Sequence, residues 1–292
     1  MYGAFQSAEE HMGIKNARWQ PVAAESLQQR FVEFLERNRG NVGTVNRFMK
    51  CIATRDVAEF NRFMVENHHP EMQLQSLGDM QFAAGAVMDV LVKWLQIGDP
   101  VDICQFGHQG PTYPGVHLKK GVTVYSTAED HGRCVVKIIT QDPDVEVLLI
   151  KAKPGADDDM DGLTLTDRGR FIIGMVDRLP RSRTFSGVEF PMVMLDTEPD
   201  VNWLCGLSTV DDGGVPAWVA QARMHVRLRV NLEGARAEAA FEMVVLRGGG
   251  DFNPPYVIDG PFYFIMRYRG VDEPLLVAYC DVDSWKDPGS LA

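Results

Sequence analysis

The chain has 292 residues, of which 45% are apolar and 24% charged, with a net charge of −11 at neutral pH and a pI near 5.1. That is ordinary globular composition, and it excludes a collagen, a long disordered chain and a disulfide knot. The acidic balance argues against nucleic acid or an anionic membrane surface as partner, because both call for clustered Lys and Arg.

Residues 1–20 show no basic region followed by an apolar core, so no secretory signal is expected. Residues 25–37 carry Leu27, Phe31, Phe34 and Leu35 at helical spacing, and Asn38-Arg39-Gly40-Asn41 supplies a stop. A second helix is expected over 42–54. Residues 56–66, with Val57, Phe60, Phe63, Met64 and Val65, fit a helix or a strand. A further helix is expected over 80–96, with Phe82, Val87, Val90, Leu91 and Leu95 facing inward, closed by Gly98-Asp99-Pro100. Its apolar stretch is interrupted by Asp89 and Lys93 and is too short to span a bilayer.

After Pro100 the texture changes. Residues 108–115 are punctuated by Gly and Pro and predict a loop. β-branched runs predict strands over 121–126, 132–140 and 145–151. An acidic turn over 153–161 precedes a helix expected over 167–178. A strand is expected over 183–195 and a short helix over 199–207. Residues 221–232 alternate, with Met224, Val226, Leu228 and Val230 on one side and His225, Arg227, Arg229 and Asn231 on the other, which predicts a half-buried strand. Two strands expected over 262–268 and 275–282 would pair. Helices early and strands late predict an α+β fold rather than α/β winding. The expected division is a helical part over about 20–100 and a sheet-rich part over about 115–285, in one domain over 1–292.

No Walker loop, GxGxxG, GxSxG or HExxH is present, so nothing points to an enzyme, a catalytic residue or a cofactor. The adjacent pair His68-His69 does not by itself make a metal site, because neighbours in sequence do not face one ion together without other ligands. The expectation there is solvated polar residues and no metal. Asp157-Asp158-Asp159 lacks the ligand spacing of an EF-hand and predicts a solvated turn. Arg223, Arg227 and Arg229 predict a solvated strand face, with an acidic partner as the alternative. Trp94, Trp203 and Trp218 are expected to be packing residues. Cys51, Cys104, Cys134, Cys205 and Cys280 contain no CxxC pair and predict reduced, mostly buried thiols; with no Asn-x-Ser/Thr sequon, an intracellular location is favoured.

The informative stretch is 230–242. Ala235, Ala237 and Ala239 alternate with Arg236, Glu238 and Ala240, so as a strand one face would be all Ala up to Phe241 and the other mostly charged. Helix over 233–246 is the competing reading, since Ala and Glu favour it. An apolar run ending at Arg247, then Gly248-Gly249-Gly250 and Asn253-Pro254-Pro255, completes a long connection over about 233–256.

This stretch, Asn231-Leu232-Glu233-Gly234 and onward, resembles the hinge and reactive-centre loop of the serpins, in which an Asn-(Glu)-Glu-Gly segment precedes an Ala-rich run. Further segments resemble the family in the same order. They are Asn61, Phe63, Val65, Glu66, Pro70, Phe82 and Trp94; the strand pair over 135–149 with Pro154; the strand and short helix over 183–207 ending Cys205-Gly206-Leu207; residues 258–266, with Pro261-Phe262 opening a strand; and the final strand over 275–282. The resemblance implies a serpin-like domain with N-terminal helices, mixed and antiparallel sheets and an exposed reactive loop. It implies hinge residues Glu233, Gly234, Ala235, Ala237, Ala239 and Ala240, and a scissile bond near Arg247-Gly248. In an inhibitory serpin the cleaved loop enters the main sheet as an extra strand and drags the acylated protease with it.

Several departures stand against full inhibition. The chain is much shorter than a complete serpin, and the Phe-Ser-Pro-x-Ser segment of an early helix is missing. The region between Trp94 and His117 is too short for a long central strand. Leu232 replaces an acidic residue, and Phe241 falls on the Ala face. The leading expectation is therefore a non-inhibitory serpin-fold protein that binds a protein partner, such as a host protein, in the manner of a viral modulator of immunity. The alternative is an active trap for a trypsin-like protease, cleaved near Arg247. An exposed strand-competent loop also allows a homo-oligomer.

Overall fold

The computed structural model describes residues 1–14, 17–23, 26–39, 48–79, 81–88, 90–107, 110–127, 130–153, 162–235 and 253–291. The chain groups into two compact units, Met1–Val90 with Thr197–Val226, and Leu91–Asp196 with Arg227–Ala292. Among the described residues no helix is long and apolar enough to cross a membrane.

The first unit holds the helices α1 (Tyr2–His11), α2 (Leu27–Asn38) and α3 (Val57–Glu66), and the antiparallel pair β1 (Met49–Thr54) and β2 (Ala83–Met88). Ser26 caps α2, its side chain accepting from Gln29 N. The buried stripe of α2 is Phe31, Val32 and Leu35. Phe31 meets Phe5 at a centroid distance of 4.9 Å and Trp203 at 5.7 Å. Asp56 caps α3, accepting from Ala58 N at 2.8 Å, and the helix reading of 56–66 therefore prevails over the strand. Phe60 and Met64, one turn apart, bury themselves against Ala83 and Val87.

Two expected helices are corrected here. Residues 49–54 of the expected helix 42–54 form β1, and the expected helix over 80–96 is strand β2 followed by a short strand. The Ala-rich run 83–88 shows alternating burial rather than helical burial. At Gly85 a Cβ would come within 2.6 Å of the Met64 methyl, so the small residues exist to let α3 lie close on the sheet. Strand pairing and packing override the helix propensity of Ala. The short helix expected over 199–207 is a single 3₁₀ turn, Asn202–Leu204. A hairpin of β11 (Ser208–Val210) and β12 (Pro216–Trp218) completes this unit. Its Trp218 is 64% exposed, against the expected packing role.

The second unit is built on three sheets. Five strands run β17 (Pro274–Cys280), β16 (Phe262–Tyr268), β8 (Val145–Lys151), β7 (Asp130–Ile139) and β6 (Val122–Thr127), with neighbours antiparallel. β16 and β8 are near-continuous apolar runs because both of their faces are covered. One cover is α4 (Gly162–Val176), whose Ile172, Ile173 and Val176 pack with Leu148, Ile150, Tyr263 and Ile265. A four-stranded sheet runs β15 (Tyr256–Val257), β9 (Val188–Pro191), β5 (Thr112–Leu118) and β4 (Asp99–Cys104), with β15 parallel to β9. β5 replaces the end of the loop expected over 108–115: paired on both edges, it accommodates Pro114 and Gly115. The third sheet runs β10 (Val193–Thr197), β13 (Val226–Val230), β14 (Gly234–Ala235) and β3 (Val92–Lys93).

None of the five cysteines is in a disulfide. Cys134 and Cys280 are buried but Cys51 is exposed, so burial is less general than the sequence suggested. Enclosure pushes the Cys280 thiol far above the ordinary thiol range, with the Asp281 charge adding to the shift.

Candidate functional site: a hinge between two strands

The expected half-buried strand over 221–232 is shorter, Val226–Val230, with Leu228 and Val230 buried and Arg227 exposed. At its end the chain reverses around Asn231. The Asn231 side-chain oxygen accepts from Glu233 N at 2.8 Å, an Asx-type turn. Asn231 N donates to the Gly234 carbonyl at 2.9 Å, and its side-chain amide donates to the Gly289 carbonyl at 3.0 Å. This brings Ala235 opposite Val230, so that β14 pairs antiparallel with β13. On its other edge β14 pairs with β3, Gly234 opposite Lys93 and Ala235 opposite Val92.

The reversal is held from one side by Trp94. Its backbone N donates to Glu233 O at 3.0 Å and its indole Nε1 donates to Asn231 O at 3.0 Å. The ring is 1% exposed and meets Phe190 edge-on at 6.2 Å. Gln141 Nε2 donates to the Trp94 carbonyl at 2.9 Å, and Gly98 N to Leu232 O at 2.8 Å. Trp94 is thus a positioning residue for the turn as well as a packing residue.

Gly234 lies where no side chain fits: a Cβ there would overlap the Val92 carbonyl oxygen and lie 2.9 Å from the Lys93 Cα. Gly234→Val is expected to cost about 1–3 kcal/mol by overpacking. It should also strip hydrogen-exchange protection from the amides of Trp94 and Asn231. Unchanged protection and unchanged unfolding would show that β14 does not depend on the close approach.

Of the expected hinge residues, Glu233, Gly234 and Ala235 are brought together here. Ala237, Ala239, Ala240, Arg247 and Gly248 lie outside the described residues. At the far end of the same connection Ser186 N donates to Pro254 O at 3.1 Å and Asn253 Nδ2 to Arg183 O at 2.9 Å, ahead of β15. Both ends of the 233–256 connection are therefore tied into sheets rather than exposed throughout. The strand flanking the hinge is β3, which precedes Trp94, so the shortness of 94–117 does not deprive the hinge of a neighbour. Two of the basic residues carry acidic partners within 4 Å, Arg227 with Asp196 at 3.2 Å and Arg223 with Glu198 at 3.6 Å. Asn231 stood in the sequence as the first residue of the hinge-like motif, but its role in organising the reversal was not foreseen; the signal for it was an Asx residue two before Glu233 at the end of an alternating strand.

No family model matches the sequence, and no curated protein matches it. Solved structures do. Mouse protein-Z dependent protease inhibitor is 11% identical over 96% of this chain and 88% of its own, with a TM-score of 0.54. A serpin from the trematode Schistosoma haematobium is 12% identical over 94% and 86%, with a TM-score of 0.51. Thyroxine-binding globulin in complex with thyroxine is 12% identical, with a TM-score of 0.50; the match covers 79% of this chain, which spans 65% of that one. The protein has the serpin fold, in a form far diverged in sequence.

Proposed function

We propose that this protein, as one serpin-like domain over 1–292, works by binding a protein partner and does not trap proteases by loop insertion. The observation that carries the reading is the shortness of the strands on either side of the hinge. Insertion of a cleaved loop would extend β14 along β13 and β3. The Val230–Ala235 pairing sets the register, and β13 ends at Val226, opposite position 239. The edge is thus five residues long, about 17 Å. On the other side β3 offers two residues, Val92 and Lys93. A trap that drags a protease across its body needs a far longer track. Loop residues past 239 would gain few ladder bonds to repay their ordering. The 233–256 connection then serves as a presented binding segment, held at both ends.

One observation favours the alternative, an inhibitor cleaved at Arg247-Gly248. In the same register Ala237 would face Leu228 and Ala239 would face Val226, so small residues would meet the buried side of β13, and Glu238 would meet Arg227. That much of an insertion is chemically suited.

The test is thermal unfolding before and after a single nick at Arg247 with trace trypsin, the nick verified by mass. The expected result is a melting temperature unchanged within about 2 °C. A rise of about 10 °C or more, equivalent to several kcal/mol of new pairing, would overturn the binding reading and establish the loop as a live trap. Arg247→Ala should then abolish inhibition.

A further inference from the structure

The pair His68-His69, unpromising as neighbours in sequence, is separated by the fold. His68 takes a left-handed conformation, φ 64°, where α3 ends. Its N donates to Val65 O at 3.0 Å and His69 N to Met64 O at 2.8 Å, a helix-terminating reversal. This directs His69 away from His68 and into the 3₁₀ turn Pro70–Met72, which carries Glu71. His225, one residue before β13, meets both from a distant part of the same compact unit. His69 Nδ1 lies 3.0 Å and His225 Nδ1 2.5 Å from the same oxygen, Glu71 Oε1. The two ring nitrogens lie 3.4 Å apart, with the rings at 88° to each other. The side chains of His69, Glu71 and His225 are 19%, 25% and 5% exposed.

We infer that His69, Glu71 and His225 form a binding site for a divalent zinc-class metal ion. Two imidazoles and one carboxylate are the donors that suit such ions. Ligand atoms about 2.0–2.2 Å from a tetrahedral ion stand about 3.4 Å from one another. The nitrogen pair already has that spacing, and the two edges to Glu71 need only to open by less than 1 Å. The ion takes the place of whatever protons the converging Nδ1 atoms direct at Glu71, so neutral imidazoles and an ionised carboxylate remain as ligands. Partial exposure of His69 and Glu71 leaves an entry path and room for a water as fourth ligand. The ion would clamp two segments 156 residues apart in sequence, the turn after α3 and the approach to β13. It would therefore stabilise the fold by binding the native state alone.

The test uses the full chain, freed of metal by chelation, titrated with Zn²⁺ by calorimetry and by thermal unfolding. One equivalent should bind, and the melting temperature should rise by about 5–10 °C at a hundredfold excess over Kd. Co²⁺ should give the visible bands of a tetrahedral nitrogen–oxygen site without a sulfur charge-transfer band, which separates it from a site built on the five cysteines. His225→Gln, at the most enclosed position, and His69→Gln, nearer the surface, should each weaken binding by at least about 100-fold while the metal-free circular dichroism is retained. If His225→Gln does not fold, His69→Gln decides alone. Absence of binding at millimolar Zn²⁺, or undiminished binding in His69→Gln, would overturn the inference.

Discussion

Trp94→Ala is expected to destabilise the second unit by about 3–5 kcal/mol, the range for removing a buried aromatic side chain. The ring fills space beside Phe190 and is almost entirely enclosed, so its loss leaves a cavity. It also removes the Nε1 donor from Asn231 O and leaves that carbonyl, in a residue only 9% exposed, without the indole. Because Asn231 organises the reversal into β14, the hinge should loosen along with the core. Trp94→Phe keeps most of the volume and loses the donor, and should cost about 1–3 kcal/mol. Urea unfolding measures both variants, and hydrogen exchange at Asn231 N reports the hinge separately. If Trp94→Ala unfolds like the parent, the indole holds neither core nor hinge. If Phe costs as much as Ala, the hydrogen bond rather than the cavity carries the effect.

A second large effect is expected at Glu146. This carboxylate sits on β8, directly opposite Arg267 of β16, and the two side chains are 4% and 8% exposed. Arg267 Nη2 approaches Glu146 at 2.7 Å and Asp177, just past the end of α4, at 3.3 Å. Arg269 Nη2 stands 3.0 Å from Glu146 and Lys137 Nζ 3.9 Å. Glu146 is thus the shared anion for three cations. Glu146→Gln should cost about 3–5 kcal/mol, because it leaves Arg267 enclosed without its main counter-charge. Replacing both partners, Glu146→Leu with Arg267→Met, should recover most of that loss, since an apolar pair of similar volume avoids the desolvation that both charges incur. The comparison is read as a double-mutant cycle in urea unfolding. A double variant as unstable as the sum of the two single ones would show that the ion pair is not the unit of stabilisation.

The comparison of sequence with structure is sharpest where one residue type serves two forms of local order. The run Ala83-Ala84-Gly85-Ala86 has good helix propensity apart from its glycine, yet it is a strand. Its small residues answer to α3 packed above it, a partner that no local pattern reveals. Helix α2 was legible because its apolar spacing, with Phe31 and Leu35 one turn apart, repeats within a dozen residues, whereas 56–66 fitted helix and strand alike until the Asp56 cap decided for α3. The strands β7, β8, β16 and β17 were legible for the same local reason, runs of β-branched and aromatic residues bounded by turns. The serpin likeness was legible in the order of weak segments and in the hinge, although no single segment would have carried it.

The sequence by itself determined the class of fold and the main strands of the five-stranded sheet. These depend on periodicity, capping and turn chemistry, which act over a few residues. Tertiary structure alone decided that Gly234 has no room for a side chain, that Trp94 holds Asn231, and that β13 beside β14 is only five residues long. It alone decided that His69 and Glu71 meet His225. Such facts arise from chain segments far apart in sequence being forced together by burial, and a one-dimensional pattern holds no record of which distant partner fills the space.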